Sequence, residues 1–247
     1  YFVPLRIMHT DFSMIPGDMG DARFNNYVLE HGYKFFTGQT DKFWDAPFMY
    51  PLPNVIALSD NLLGTLPVYS AFRFFADRET AFQYWILALF ILNYICCYWA
   101  LKKWSQNILL SSVGAYIFAF SIFTAIQLNH VQVLPRFIVP LVLYWCWKYL
   151  KEKESLYFLF MMLGIVYQFY CGVYLGFLLI YILLFFFIAY LLFYKSSHYF
   201  QQFKSKKLIF RHLLVMGVFI ILLAPLMLPY LKVSRTMGMR TFEAVSN

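Results

Sequence analysis

The chain has 247 residues, of which 62% are hydrophobic, 22% aromatic and only 13% charged, and its formal net charge is +8. This balance excludes a water-soluble domain of the same length, because most residues of such a domain must still face water. It also argues against a nucleic-acid-binding surface, since the basic residues mostly lie in short clusters between apolar runs, where membrane orientation explains them better. The composition predicts an all-α, polytopic transmembrane protein.

The first third of the chain combines a short apolar stub with a long polar loop. We expect residues 1–9 to be the end of a first transmembrane helix and residues 10–81 to be an extracytoplasmic loop. Nine of the twelve acidic residues lie in that loop: Asp11, Asp18, Asp21, Glu30, Asp41, Asp45, Asp60, Asp77 and Glu79. Acidic groups can simply keep a loop soluble, and we prefer this interpretation for Asp41, Asp77 and Glu79.

Asp18 and Asp21 have a different setting, a flexible turn that runs into a helical pattern. The apolar residues that follow recur near the spacing of one helix face: Phe24, Tyr27, Val28 and Phe35. Asp21 is placed to be the N-cap of this helix. An amphipathic helix leaving a membrane tends to lie in the interface, which would put both carboxylates at the level of lipid head groups. A purely structural alternative, a capped helix preceded by a turn aspartate, stays open.

Five apolar stretches follow and form the predicted transmembrane bundle, residues 82–231. They are residues 82–101, 108–126, 137–147, 155–194 and 212–231. The third has only eleven residues, too few at ~1.5 Å per residue to cross ~30 Å of hydrocarbon. Its helix is therefore expected to begin near His130, with Pro140 perturbing it. The fourth has forty residues, about twice what one crossing needs, so we expect two helices that turn near residues 170–172.

The basic clusters support this division. With two helices in the fourth stretch, the basic loops at residues 148–153 and 195–211 face the same side of the membrane, as the positive-inside bias prefers. The sequence thus predicts six complete crossings plus the stub of an earlier helix. Pro225 and Pro229 interrupt the last crossing, and residues 232–247 are expected to start a further extracytoplasmic segment.

Polar residues also lie at the outer end of the short third stretch: His130, Gln132 and Arg136. A charge at the centre of a membrane helix costs about 2.5–3.5 kcal/mol, which indicates a role for these groups. The alternative for Arg136 is snorkelling to lipid phosphates. The first loop is also dense in aromatic residues, as in residues 43–53. Such rings suit stacking on sugars and equally suit a belt at the membrane interface.

Six groups of short segments carry a likeness to a known family. They are Gly17-Asp-Met-Gly-Asp-Ala-Arg-Phe with Leu29-Glu-His31, Phe43-Trp with Pro47-Phe-Met-Tyr-Pro51, Leu58-Ser-Asp-Asn-Leu-Leu-Gly64 with Pro67-Val-Tyr69, Asn129-His-Val-Gln132 with Leu134-Pro135, Gln168 with Gly172-Val-Tyr174-Leu-Gly176, and Pro229-Tyr230 with Gly238 and Arg240. These segments resemble bacterial integral membrane glycosyltransferases of the GT-C type, most specifically over residues 17–69. The resemblance implies the amino-terminal half of such an enzyme.

The resemblance implies transfer of a sugar from a polyprenyl-phosphate donor to a lipid, glycan or protein acceptor, on the extracytoplasmic side of a bacterial inner membrane. The family's acidic motif falls on Asp18 and Asp21, the expected catalytic residues, one of which takes the proton of the attacking hydroxyl. A cation such as Arg136 or Arg73 is expected to steady the departing phosphate. The residues predicted to bind substrate are Arg23, Glu30, His31, Asp60, Arg73, His130, Gln132 and Arg136.

Cofactors and partners follow from the same resemblance. Some relatives bind a divalent metal through such carboxylates, so a metal held by Asp18 and Asp21 is left open and the cofactor is unknown. The expected partners are the polyprenyl-phosphate sugar and membrane lipids, with no nucleic acid.

Two other classes of function remain as alternatives. A transporter or flippase of lipid-linked sugars would want ionisable residues near the bilayer midplane and broken helices. Pro140, Pro225 and Pro229 allow breaks, but no Asp, Glu, Lys or Arg lies in the middle of a predicted crossing, which favours the enzyme. A third possibility is a scaffold protein whose loop only binds partners, and no motif decides against it.

Overall fold

The computed structural model describes residues 8, 12–17, 20–121, 124, 127–193 and 206–237. Within these ranges the chain is all-helical and contains no strand, as the composition predicts. The α-helices are α1 (Asp21–Phe36), α2 (Leu66–Arg73), α3 (Arg78–Ser105), α4 (Ile108–Phe120), α5 (Ile138–Glu152), α6 (Ser155–Cys171), α7 (Val173–Phe193) and α8 (Lys206–Met237). Two 3-10 segments, Val55–Leu58 and Gln127–Val133, complete the described secondary structure.

Three of these helices are long and apolar enough to cross a membrane, which is consistent with an integral membrane protein. They are α3 with 28 residues, α7 with 21 and α8 with 32. At ~1.5 Å per residue, even α7 is about 30 Å long and matches the hydrocarbon core. Helices α4, α5 and α6 have 13, 15 and 17 residues and are shorter than a typical crossing. Three of the six predicted crossings therefore meet the length criterion.

The forty-residue apolar run forms two helices, as its length predicts. Helix α6 ends at Cys171, and the N–H of Gly172 donates to the Gln168 carbonyl to close its last turn. Helix α7 then returns antiparallel to α6, since the Phe169 ring meets Phe177 edge to face at 5.2 Å. A Cβ at Gly176 would lie 2.6 Å from the Phe169 ring, so the absence of a side chain there lets the two helices approach. The turn near residues 170–172 is confirmed.

Two local predictions about helix starts are wrong. Asp21 is the first residue of α1, and Gly20 occupies the N-cap position; the aspartate instead places its charge in the first turn, where the helix dipole favours an anion. Helix α5 begins at Ile138, not near His130, whose backbone is non-helical at φ −112°, ψ 62°. Pro135 explains this, because a proline disfavours helical geometry in the residue before it.

The prolines inside the helices disturb them less than expected. Pro140 lies in the first turn of α5, where backbone N–H groups have no partner within the helix and a missing one costs little. Pro225 and Pro229 lie within α8, which nevertheless continues unbroken from Lys206 to Met237. This helix is longer at both ends than the predicted crossing 212–231. The predicted stub at residues 1–9 and residues 238–247 lie outside the described residues, apart from Met8.

The bundle has two distinct ends. We call the end where α3 begins at Arg78 and α6 ends at Cys171 the loop end, and the opposite end, at Ser105 and Ser155, the basic end. The first loop packs on the loop end instead of extending away from it. Tyr69 of α2 and Trp85 of α3 are both fully buried in the core that the loop and bundle share.

The motif at residues 58–64 joins the loop to the bundle. The N–H of Gly64 donates to the Tyr170 carbonyl at 2.6 Å, and the Tyr167 hydroxyl donates to the Gly64 carbonyl at 2.8 Å. A Cβ on Gly64 would lie 2.7 Å from the Cys171 sulfur. Nearby, the Tyr230 hydroxyl of α8 donates to the Ser59 carbonyl at 2.8 Å. This motif therefore has a structural task, the docking of the loop on α6 and α8.

Asp77 is a helix cap and not merely a solubilising group. Its carboxylate accepts the Thr80 N–H at 2.9 Å and the Thr80 hydroxyl at 2.7 Å, which makes it the N-cap of α3. The backbone bond from Thr80 is the main reason that the pKa of Asp77 lies below its ordinary value. Asp41 and Glu79, in contrast, are exposed, as expected of solubilising groups.

We predict that Asp77→Ala lowers the free energy of unfolding by about 0.5–2 kcal/mol at neutral pH, whereas Asp77→Asn, which can still cap, changes it little. Because the folded pKa is depressed, this stabilisation is full above the unfolded pKa of ~3.9 and is lost as the pH falls through the folded value. Denaturation of the detergent-solubilised protein at pH 7 and pH 3 checks both statements. A difference between wild type and Asp77→Ala that grows on acidification would contradict the capping role.

Candidate functional site

Helix α1 and the 3-10 segment Gln127–Val133 bring together two residues that are 109 positions apart. The carboxylate of Asp21 lies 2.7 Å from Nδ1 of His130. Gln132 Nε2 donates to the same carboxylate oxygen at 3.4 Å. Asn25, one turn further along α1, donates from Nδ2 to the Gln132 side-chain oxygen at 2.8 Å. We call Asp21, Asn25, His130 and Gln132 the Asp21 cluster.

The Asp21 cluster is open to solvent but anchored from beneath. The side chains of Asp21 and His130 are 50% and 55% exposed, respectively. Asn25, however, is only 2% exposed, and its Nδ2 also donates to the Asp21 carbonyl at 2.7 Å. A buried amide thus holds Gln132 in place, and Gln132 with His130 in turn orients the carboxylate. Functional side chains held by a packed second layer are better positioned than side chains on a free loop.

An aspartate beside an imidazole is suited to proton transfer. The carboxylate fixes the orientation and tautomer of the ring through Nδ1, and the opposite nitrogen is then able to take or give a proton. Within the described part of the chain, Nε2 of His130 has no hydrogen-bond partner and is free to accept or donate a proton. Both side chains of the pair are about half exposed, so the pair is accessible to solvent.

Gly17, in the turn before α1, packs tightly beside this site. Its φ is +100°, a conformation that favours glycine, and an added Cβ would lie 2.3 Å from Ala22 Cβ and 2.7 Å from the Leu128 carbonyl. The glycine therefore permits a close approach of the turn to both halves of the site. Asp18, the first of the two predicted catalytic residues, lies outside the described residues.

Glu30 and Arg73 form a partly buried ion pair with each other and do not belong to the Asp21 cluster. Arg73 Nε donates to a Glu30 oxygen at 2.8 Å, and the Tyr69 hydroxyl donates to the same oxygen at 2.9 Å. Burial is the largest cause that raises the pKa of Tyr69, and Glu30 adds to it. The bond to Glu30 is likewise the main cause that raises the pKa of Arg73. These contacts fasten α1 to α2.

His31 and Asp60 also make internal contacts. Nε2 of His31, a buried residue, lies 2.9 Å from the Phe43 carbonyl. The Asp60 carboxylate accepts the Tyr174 N–H at 3.3 Å in the first turn of α7, where the helix dipole favours an anion. Burial is the largest cause that raises the pKa of Asp60. In this structure both residues hold loop segments in position.

Arg136 and Arg23, the other two arginines predicted to bind substrate, differ in their surroundings. Arg136 donates to the Phe118 carbonyl at 2.9 Å and to the Thr124 hydroxyl at 2.5 Å, and its guanidinium lies over the Phe118 ring at 5.1 Å. It therefore joins α4 to the segment before α5. Arg23 is exposed and has no ion pair among the residues that the structure describes. Of the three arginines predicted to bind substrate, Arg23 is the one placed to meet a solvent-borne anion.

Asn25 is the member of the Asp21 cluster that the sequence reasoning missed. It lies four residues after Asp21, and residues at that spacing share a helix face, but adjacent polar residues such as Asn25 and Asn26 carry no signal of burial. Its Oδ1 is buried without a hydrogen-bond partner.

The donor set for a metal is incomplete among the described residues. No group of three or more His, Cys, Asp or Glu side chains comes together there, and the Asp21 cluster offers only Asp21 and His130. The four cysteines, Cys96, Cys97, Cys146 and Cys171, are free and mostly buried.

Comparison with family models, with curated proteins and with solved structures found no match. The likeness to membrane glycosyltransferases therefore depends on the sequence segments alone.

Proposed function

We propose that this protein is a membrane glycosyltransferase that moves a sugar from a polyprenyl-phosphate donor to a lipid, glycan or protein acceptor. The observation that carries the proposal is the 2.7 Å contact between Asp21 and His130. Both residues belong to segments that resemble GT-C enzymes, and they meet although 109 positions separate them. The apolar helices beside them suit a substrate with a long isoprenoid chain.

In the proposed reaction, the acceptor hydroxyl loses its proton to Nε2 of His130, while Asp21 stabilises the imidazolium that forms. The hydroxyl oxygen then attacks C1 of the sugar, the bond from C1 to the phosphate oxygen breaks, and polyprenyl phosphate departs with that electron pair. Arg23, which is exposed and which the resemblance implies binds substrate, is the remaining candidate cation for the departing phosphate. Arg73 and Arg136, which were the candidates for this role, are engaged with protein partners.

The proposal includes a topology. Helices α3 to α8 make six crossings of a bacterial inner membrane, with residues 10–81 and the Gln127–Val133 segment outside the cytoplasm and the basic end inside. Helices α4, α5 and α6 are shorter than a typical crossing, so residues of the flanking turns complete each of these three crossings. The positive-inside bias supports this orientation.

Cysteine labelling tests the orientation. After replacement of the native cysteines, we expect Asp41→Cys to react with a membrane-impermeant maleimide in intact cells, because the loop is outside. Glu154→Cys, at an exposed position of the basic end, is expected to react only after lysis. Reaction of Glu154→Cys in intact cells would invert the topology.

The transporter alternative has less support. Helix α8 contains two prolines but is continuous through both, whereas transporter sites are typically built on interrupted helices. A direct test separates the two functions: the purified full-length protein is incubated with a radiolabelled polyprenyl-phosphate sugar and a mixture of membrane lipids. We expect label to pass to a product that is chemically distinct from the donor. Movement of unchanged donor between leaflets, with no new product, would favour the flippase.

A further inference from the structure

A groove of about 510 Å³ opens at the basic end, between the last turns of three helices. Its lining is mainly aromatic with one lysine ammonium, and it consists of Trp104, Trp147, Lys151, Phe186, Ala189, Tyr190 and Phe193. Trp104 lies in the last turn of α3, Lys151 in the last turn of α5, and Phe193 at the end of α7. In the proposed topology the groove lies at the depth where membrane helices meet lipid head groups, a level at which tryptophan and tyrosine are enriched.

The polar side of the groove is built around Lys151. The Trp104 and Trp147 rings stack with centroids 5.4 Å apart, and the Lys151 ammonium lies over the Trp147 ring at 5.2 Å. Lys151 is exposed and forms no ion pair in the part of the chain that the structure describes. Its neighbour Glu152 is paired with Lys148 instead. The ammonium is thus held in place by an aromatic ring and leaves its charge for a ligand.

The charge of this end of the bundle selects an anion. Five lysines, Lys102, Lys103, Lys148, Lys151 and Lys153, stand against two glutamates, Glu152 and Glu154, at the ends of α3 and α5 and in the turn that leads to α6. Basic pockets between transmembrane helices on the cytoplasmic side bind acidic lipid head groups. The wall formed by α7 is apolar, with Phe193 84% exposed, and suits a hydrocarbon chain.

We propose that this groove binds an anionic phospholipid, with the headgroup phosphate against the Lys151 ammonium and an acyl chain along Phe186, Ala189 and Phe193. A single molecule then satisfies the charge at one end of the groove and covers the exposed aromatic surface at the other. The site is remote from the Asp21 cluster, at the opposite end of the bundle; it rests on the proposed topology but not on the proposed glycosyl transfer.

Native mass spectrometry of the delipidated, detergent-solubilised full-length protein tests the site. The probes are phosphatidylglycerol and phosphatidylcholine with identical acyl chains, titrated separately. Lys151→Gln is expected to raise the Kd for the first bound phosphatidylglycerol about fivefold, the factor that corresponds to about 1 kcal/mol per basic residue near the surface. Its effect on phosphatidylcholine is expected to be much smaller.

Two further variants make the test specific. Ala189→Trp fills the apolar part of the groove and is expected to weaken phosphatidylglycerol binding while Lys151 remains. Lys103→Gln removes a charge at the same end that does not line the groove, where the ammonium lies over Trp99 at 5.8 Å, and is expected to change binding far less than Lys151→Gln. Circular dichroism and gel filtration confirm that each variant is folded.

Several outcomes would overturn the proposal. Equal weakening by Lys103→Gln and Lys151→Gln would show diffuse attraction instead of a site. Equal affinity of the wild type for the two lipids would remove the role of the charge. A dimer that disappears in Ala189→Trp, with lipid binding unchanged, would show that a second copy of the chain occupies the groove.

Discussion

Replacement of Asp21 by asparagine is expected to lower the rate of sugar transfer by about 10²–10⁴-fold, the usual contribution of a general base, because His130 is a poor base without the carboxylate that stabilises its protonated form. Asparagine has nearly the same shape, so the amide can still contact His130 and Gln132. It carries no charge, however, and cannot stabilise the imidazolium that forms when His130 takes the proton. The measurement is the single-turnover rate of label transfer by the purified full-length variant.

The losses of transfer rate caused by replacing Asp21 and His130 are not expected to multiply in the double variant. Because Asp21 and His130 share one hydrogen bond and act on one proton, the double variant Asp21→Asn/His130→Gln is expected to be about as slow as the slower single variant. Two independent binding contacts would instead give multiplied losses.

Asp41→Asn is the matched control for Asp21→Asn. Asp41 is an exposed carboxylate of the same loop, and its replacement is expected to leave the transfer rate unchanged. Loss of the charge in the first turn of α1 also costs some stability, about 0.3–1 kcal/mol, which shifts Tm by no more than about 4 °C in a chain of this size. Wild-type transfer by Asp21→Asn, or an equal loss in Asp41→Asn, would remove Asp21 from the mechanism.

Asp18→Asn belongs in the same assay. The sequence segments single out Asp18 together with Asp21 as the acidic motif, but Asp18 lies outside the described residues, and the contact with His130 is described for Asp21. If Asp18→Asn is slow and Asp21→Asn is not, the proton acceptor is Asp18 and the pairing with His130 is structural.

Length and charge were sufficient to predict some features of the fold. One helix of forty uncharged residues would be about twice as long as the hydrocarbon core is thick. The break at Gly172 could therefore be predicted by counting residues. The start of α5 was mispredicted, because counting residues ignores local stereochemistry. Helix α5 cannot extend back to His130 through Leu134, which precedes a proline.

The candidate site was predicted only in part, because partners distant in sequence decide what a polar residue does. Asp21 and His130 were both singled out, but the contact between them depends on the packing of α1 against the Gln127–Val133 segment. Glu30 and Arg136 were predicted to bind substrate, but their partners, Arg73 at 43 positions and Phe118 at 18 positions, are internal. A local pattern does not reveal such pairings.

The ion pair of Glu30 and Arg73 gives the second large expected effect, a loss of stability. Replacement of Arg73 by methionine is expected to lower the free energy of unfolding by about 3 kcal/mol, because it leaves a carboxylate buried without its cation. The Glu30 side chain is only 9% exposed and that of Arg73 27%, so the effect is expected at the lower end of the range for fully buried pairs. Equilibrium unfolding of the detergent-solubilised protein measures it.

The double variant Glu30→Gln/Arg73→Met identifies the cause. It removes both charges, and since no buried ion is left alone, it is expected to recover most of the stability that Arg73→Met loses. Lys42→Met is the surface control: Lys42 pairs with Asp45, but its side chain is 73% exposed, and such pairs contribute about 0–1 kcal/mol. If Arg73→Met instead retained wild-type stability and abolished sugar transfer, Arg73 would be a substrate-binding residue, as predicted from the sequence, and the ion pair with Glu30 would not be what holds α1 against α2.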